Sequence, residues 1–362
     1  MVVIYLNSTG NTYWIPIYSL NDKIREPYIF YVFAIFQTSI YILTGYILVR
    51  ICWIFLTIKV FHDNMNIMMC WFLCQWFQAF LAKIVLIPYQ FGIIKISMDI
   101  NKTYYDWWSD TVEKSAILRE DVNIWPIYFA SYFLWHYMYS ILFAVLAVGL
   151  ERVCATWYIQ DYEHVSRRHI PILLIAATNL ITLPYAYQTT NNRTPLLQTC
   201  LQSIFIGSVA VFGYIMLWRV NLAWRNRIVN LKFTHNEKYS LARKFQIEEN
   251  IKSLILARKL VVSASVFILV VTILLAVLLF DPHGYDAFFV HALDNSMLLP
   301  ALVMSLTLLS CSPAWKERFI SGLPIIRRLK SSSVAHQNSY STASSAGKET
   351  EAYFEQLRSS WA

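Results

Sequence analysis

Charge is what this 362-residue chain has least of. Only 14% of its residues are Asp, Glu, Lys or Arg, while 57% are hydrophobic; soluble domains carry about a quarter charged residues. That scarcity excludes an ordinary soluble domain and points to a chain dissolved in lipid. Cysteine pairing is also missing. The six cysteines, at 52, 70, 74, 154, 200 and 311, form neither a disulfide framework nor a C-x-x-C metal motif. Cys70 and Cys74, four apart in an apolar stretch, read as helix packing. There is no H-E-x-x-H, no G-x-S-x-G and no glycine-rich phosphate loop, and the eight histidines lack metal-ligand spacing. No enzyme activity, metal or cofactor is therefore expected. No ten-residue alternating pattern suggests a transmembrane strand. The first 27 residues, with Asn7, Thr12, Asn21 and Asp22, lack the apolar core of a signal peptide. The first transmembrane helix is expected to do the targeting instead.

What is present is apolar length. The 13 Trp, 23 Tyr and 22 Phe fit residues that gather at membrane–water boundaries. A bilayer core needs roughly 20 apolar residues per helix, and that window finds seven spans: Tyr28–Thr57, Ile67–Ile94, Ile124–Leu150, Ile170–Tyr187, Leu196–Val220, Leu260–Phe280 and Ala287–Ser310. The fourth is the weakest, interrupted by Asn179, Thr182 and Pro184. With the N-terminus outside, the outer segments hold 7 Lys or Arg and the inner ones 21. The positive-inside bias thus puts the C-terminus in the cytosol. The three N-x-[ST] acceptors, Asn7, Asn101 and Asn192, all fall on the outer side; chance would do this roughly once in twenty. The expectation is an all-α, seven-transmembrane helix bundle of the plasma membrane. It has an extracellular N-terminus (1–27), a basic cytoplasmic loop (221–259) and a cytoplasmic tail (311–362), disordered from about 331. The net charge of +8 is accounted for by the inner loops, so nucleic acid is not an expected partner.

The third span, in "AVLAVGLERVCATWYIQDYE" (144–163), ends on Glu151-Arg152. Two readings fit. One is a pair that snorkels into the headgroups. The other is a switch of the kind seven-helix G-protein-coupled receptors carry at this place, exchanging partners as helices move. Seven spans, the right polarity and the right helix favour the switch.

The segment "ERVCATWYIQDYE" resembles, at Glu151, Arg152, Ala155, Thr156, Tyr162 and Glu163, a motif of the nematode serpentine chemoreceptors of class epsilon, the Sre family. In "YSLARKFQIEENIKSL", Arg243, Phe245, Gln246, Glu249, Asn250 and Ile251 resemble a family stretch that precedes the sixth helix, and "WIPIY" (14–18) also fits. The resemblance implies a chemosensory receptor coupled to a heterotrimeric G protein, located in sensory neurons and their cilia; it names no ligand. Rhodopsin-like features are incomplete. The seventh span has Pro300 but no N-P-x-x-Y, and the sixth has no proline to kink it. No cysteine pair is available to tie the outer end of the third span to residues 188–195. Analogy with rhodopsin-like activation is accordingly loose.

In the 221–259 loop, apolar Leu241, Phe245, Ile247, Ile251, Leu254 and Ile255 approach helical spacing among nine basic residues. Such a stretch suits anionic membrane lipid. It equally suits a docking face for a G protein in which Arg243, Lys244 and Lys252 take part. After Pro313, Trp315, Phe319 and Ile320 are expected to lie on the membrane as a short amphipathic helix. Cys311 reads as a buried cysteine or an acylation site. The Ser/Thr-rich tail reads as a phosphorylation handle or a merely solvated end.

Ionisable residues inside spans are costly and so stand out. Lys83 lies 11 residues, and Asp294 7 residues, from the outer ends of their spans, depths of roughly 16 and 10 Å. They are candidates for an ion pair that either fixes packing or meets a ligand. His136, Tyr132, Trp135 and Tyr139 on the third span either line a pocket for a small-molecule ligand or pack as core. The rival to a receptor is a transporter or channel with Lys83, His136 and Asp294 as a polar pathway, although no internal repeat supports two halves. A non-signalling membrane protein is the second rival.

Overall fold

The structure, a computed structural model, describes residues 2–6, 9–17, 20, 27–58, 60–99, 102–104, 115–158, 167–194, 196–229, 241–279 and 286–323. It divides into two units, 1–315 and 316 onward. The helices are α1 (Pro27–Thr57), α2 (Asp63–Gln90), α3 (Trp125–Trp157), α4 (His169–Thr190), α5 (Leu196–Val229), α6 (Leu241–Leu279), α7 (Asp286–Ser296), α8 (Leu299–Cys311) and α9 (Pro313–Ser321). Three short strands, β1 (Val2–Tyr5), β2 (Thr12–Ile15) and β3 (Ala116–Ile117), complete the described elements.

Local chemistry explains the helix ends. α2 begins where His62 Nδ1 accepts the Asn64 N–H, with Asp63 complementing the positive end of the helix dipole. It stops at Gly92, whose φ of +66° suits a residue without Cβ. α3 begins where Asn123 Oδ1 accepts the Trp125 N–H, and Pro126 sits where no N–H is missed. α4 runs unbroken through the polar positions that weakened its span. Asn179 Nδ2 donates to Ile175 O and Thr178 Oγ1 to Leu174 O, so these side chains are satisfied by their own helix.

Five helical stretches among the described residues are long and apolar enough to cross a bilayer: Ile35–Thr57, Asp63–Gln90, Trp125–Trp157, His169–Thr190 and Leu201–Asn226. Leu299–Cys311 is a shorter apolar helix. Large apolar side chains stay exposed along these helices, including Ile42, Trp53, Leu81, Leu173, Leu180, Phe205 and Phe212. Continuous exposed apolar surface on this scale demands lipid rather than water. The chain is therefore a helical, multi-pass membrane protein. α3 is the hub, packing against α2, α4, α5 and α6, while α8 packs against α1, α2 and α6.

Several features depart from expectation. The chain is not purely helical: β2, β1 and β3 form one small sheet, with β1–β2 antiparallel and β1–β3 parallel. It joins the N-terminal segment to the α2–α3 connection and packs on α3 and α4. Its strands are too short to show periodicity, which is why they were not legible. The run expected as a seventh span, Ala287–Ser310, is broken between Ser296 and Leu299. Pro300 has no N–H, and its ring opposes the carbonyl of Ser296 four residues earlier. α3 runs five residues past Glu151-Arg152, and α5 and α6 extend well into the basic loop, leaving residues 230–240 between them. Trp224 packs on Ile247 and Ile251 there, and Arg225 Nε donates to Glu248 Oε1 at 2.8 Å.

Trp315 does not lie on a membrane surface. It is fully buried, its ring 4.4 Å from that of Phe55 and 5.3 Å from that of Phe61, and its Nε1–H donates to Ile58 O at 3.2 Å. That carbonyl just beyond α1 needs a donor, and an indole supplies one. Trp315→Ala should cost about 3 kcal/mol or more through the cavity it leaves. Thermal unfolding of the purified full chain checks this, and an unchanged melting temperature would contradict the packing.

Candidate functional site

The expected pocket residues divide among three places. The first is the α2–α7 contact. Lys83 and Asp294, each 1% exposed, form an ion pair. Lys83 Nζ also donates to Gln90 Oε1 at 3.1 Å, two turns further along the same face of α2. Beside the pair, Tyr41 OH donates to Asn295 Oδ1 at 3.0 Å and accepts from Gln37 Nε2 at 2.8 Å. Trp76 Nε1 donates at 3.0 Å to Leu298 O, in the break between α7 and α8. Asp294 Oδ1 is buried with no hydrogen bond among the described residues. The contact thus holds a buried carboxylate oxygen as well as a cross-helix tie.

The second place lies under the sheet. Trp135 is buried against Trp14, ring centroids 5.0 Å apart, and its Nε1–H donates to Trp14 O at 3.1 Å. Tyr13 meets Tyr128 edge-on at 5.5 Å. One turn along α3, Tyr139 OH pairs with Thr189 Oγ1 at 2.7 Å, and its ring lies 5.6 Å from that of Tyr185. Tyr132, only partly buried, lies beside Phe133. The N-terminal hairpin therefore covers the end of the helices that carries Trp135.

The third place is His136, which is buried between α2 and α3. Gln78 Nε2 lies 3.0 Å from its Nδ1 and donates to Phe133 O, while Ser140 Oγ lies 3.4 Å from its Nε2. With Gln78 donating, Nδ1 accepts and Nε2 carries the proton, which describes a neutral ring. His136 thus has a different set of partners from Lys83 and Asp294.

The Glu151-Arg152 pair is buried, at 0% and 2% exposure. Arg152 Nε and Nη2 grip both carboxylate oxygens of Glu151 at 2.5 and 2.6 Å. Its Nη1 donates to Ser253 Oγ on α6 at 3.2 Å. The acid neutralises the guanidinium from the neighbouring position on the same helix, and the third arm crosses to α6. Ser253 carried no signal in the sequence, because only the packing of α6 on α3 brings it to Arg152. Tyr41 and Gln78 were missed for the same reason. Trp14 lay in a noted motif, but nothing there pointed to Trp135.

Of the basic docking candidates, Lys252 is exposed on α6, whereas the side chains of Arg243 and Lys244 fall outside the described residues. Asn7, Asn101 and the Asp161–Glu163 acids also lie outside them. Asn192 is half-buried at φ +51°, a left-handed conformation Asn tolerates, and its Nδ2 donates to Thr12 Oγ1 at 3.3 Å.

Removing one member of the Lys83–Asp294 pair strands a charge. Lys83→Met or Asp294→Leu alone should therefore destabilise by about 3 kcal/mol or more, and the double variant by less than either. A double-mutant cycle on thermal unfolding in constant lipid checks this; additive losses would show the two side chains to be independent.

Comparison with known proteins shows the family. The family profile of the Sre G protein-coupled chemoreceptors matches residues 1–362. Serpentine receptor class epsilon-38 of Caenorhabditis elegans is 34% identical over 368 residues, spanning 99% of this chain and 100% of the relative. Serpentine receptors class epsilon-30 and class epsilon-45 of the same organism are 25% and 27% identical; the first covers 99% of this chain, the second all of it, and both align over their full length. Matched over its full length by the family profile and by a relative 34% identical to it, the chain belongs to the Sre family of G protein-coupled chemoreceptors.

Proposed function

We propose that this receptor crosses the plasma membrane seven times with its N-terminus outside, binds a small external chemical among the outer halves of its helices, and signals to a heterotrimeric G protein. On this reading the apolar half of α6 from Leu260 and the broken α7–α8 pair supply the sixth and seventh crossings. The sheet faces outward, and Lys83, Tyr132, Trp135, His136, Tyr139 and Asp294 are the groups a ligand meets. Asn7, Asn101 and Asn192 are the sugar acceptors.

The observation that carries the reading is the buried reach of Arg152 to Ser253. Glu151 neutralises the guanidinium from the same helix, and the hydrogen bond from Arg152 to the neutral hydroxyl of Ser253 links α3 to α6 at this point. A bond of that kind contributes about 1–3 kcal/mol, a difference a ligand's unequal affinity for two states can supply. Release of α6 frees Arg152 and the basic α5–α6 extension, including Arg243, Lys244 and Lys252, for a G protein. The same face suits anionic lipid in the resting arrangement. Sensory cilia are the location the family suggests.

The test is a chemical screen in cells that express the full chain with a promiscuous G protein. Ser253→Ala should raise basal signalling about fivefold, the population shift that about 1 kcal/mol allows. Arg152→Gln should abolish the ligand response while surface expression persists. Reversing the charges at Arg243, Lys244 and Lys252 should weaken coupling at unchanged expression. Substrate flux or current without any G protein would favour a transporter instead. For the topology, Asn→Gln changes at the acceptor sites should remove glycosidase-sensitive mass, and a C-terminal tag should label only permeabilised cells. A tag that labels intact cells would overturn the orientation.

A further inference from the structure

A cavity lies away from the sheet, where α2, α3, α5, α6 and α8 converge beside Arg152. The cavity has a volume of about 120 Å³ and is walled by side chains such as Met69, Leu254, Ala257 and Met304. Arg152 and Tyr214 alone bring polar atoms from their side chains to the wall, and the guanidinium is already held by Glu151 and Ser253. Water needs two or more polar partners to be stable in such a space. Apolar cavities of about 150 Å³ stay dry and take up benzene or xenon.

Gly149 makes the space look kept rather than accidental. It lines the cavity on α3, and a Cβ built on it would meet no atom within 4 Å. Glycine inside a helix carries a conformational cost relative to alanine. Here that cost is not offset by close helix packing, because no neighbour approaches. What the missing side chain leaves is volume.

We infer that this cavity is a binding site for a small, uncharged, apolar molecule of roughly the size of benzene, which enters from the hydrocarbon of the bilayer. The occupant touches α3 at Gly149, α6 at Ala257 and α8 at Met304. The cavity exists in the arrangement in which Arg152 reaches Ser253, so occupancy favours that arrangement over one in which α6 has moved. This last consequence rests on the receptor mechanism proposed above; the binding itself does not.

The test uses the full chain, labelled with carbon-13 at its methionine methyl groups, in lipid nanodiscs titrated with toluene. The Met69 and Met304 signals should shift to saturation, because an aromatic ring in the cavity perturbs both. Met216, exposed on α5, should drift in proportion to toluene dissolved in the bilayer. Gly149→Leu, which fills the cavity, should remove the saturable component; if that variant misfolds, Ala257→Val serves the same purpose. A Met304 signal that merely follows Met216, or a saturable shift that survives filling, would overturn the inference. So would a Met304 signal that ignores toluene but changes with acyl-chain length, which would mean that the end of a lipid tail fills the space. None of these outcomes depends on signalling, so a failure here leaves the receptor mechanism to its own test.

Discussion

Hydrocarbon cannot hydrogen-bond, and a polar group placed in it without a partner costs several kcal/mol. Nearly every feature of this protein answers that constraint. Backbone polarity is absorbed by long helices. Hydroxyl and amide side chains in their middles, such as Thr44, Ser131, Thr178 and Asn179, return their hydrogen bonds to carbonyls one turn back. Tryptophan N–H groups find carbonyls at the points where helices end or break, Trp76 at Leu298 and Trp315 at Ile58. The helix breaks are tolerable because another element supplies the missing donors.

The two buried charge pairs meet the same constraint in opposite ways. Lys83 and Asp294 are far apart in sequence and on different helices, so their attraction fastens α2 to α7. Separating them would leave two charges in a medium that cannot solvate them. Glu151 and Arg152 are neighbours on α3, so their mutual attraction acts within one helix. It neutralises the guanidinium from the same helix, while Arg152 Nη1 reaches across to the hydroxyl of Ser253 on α6. The first pair suits a fixed joint and the second a joint that opens. The apolar cavity lies against the second, where a change in helix packing costs least in lost polar partners.

Much of the bundle was legible in the chain, because a span of roughly 20 apolar residues has few other homes. α1, α2 and α4 begin and end within about four residues of their apolar runs, whereas α5 and α6 extend past theirs into the basic loop, and Glu151-Arg152 stood out as charge in such a run. The Lys83–Asp294 pair was also legible, since two opposite charges at similar depth have one economical solution. The sheet was not: strands of two to four residues show no period, and β1 pairs with β3 across more than a hundred residues. The break in the seventh span had its cause in plain view at Pro300, but a hydropathy window averages over it.

The amino-acid order by itself determined that this chain lives in lipid, where its helices run, which residues are charged within them, and, through its motifs, its family. It could do so because these properties depend on local composition and on near neighbours along a helix. The tertiary structure alone decided that Arg152 meets Ser253, that Trp14 covers Trp135, that His136 stands apart from the Lys83–Asp294 pair, and that Gly149 faces empty space. Each depends on which faces of separate helices turn toward one another. That is settled by packing among many side chains at once, and no single segment encodes it.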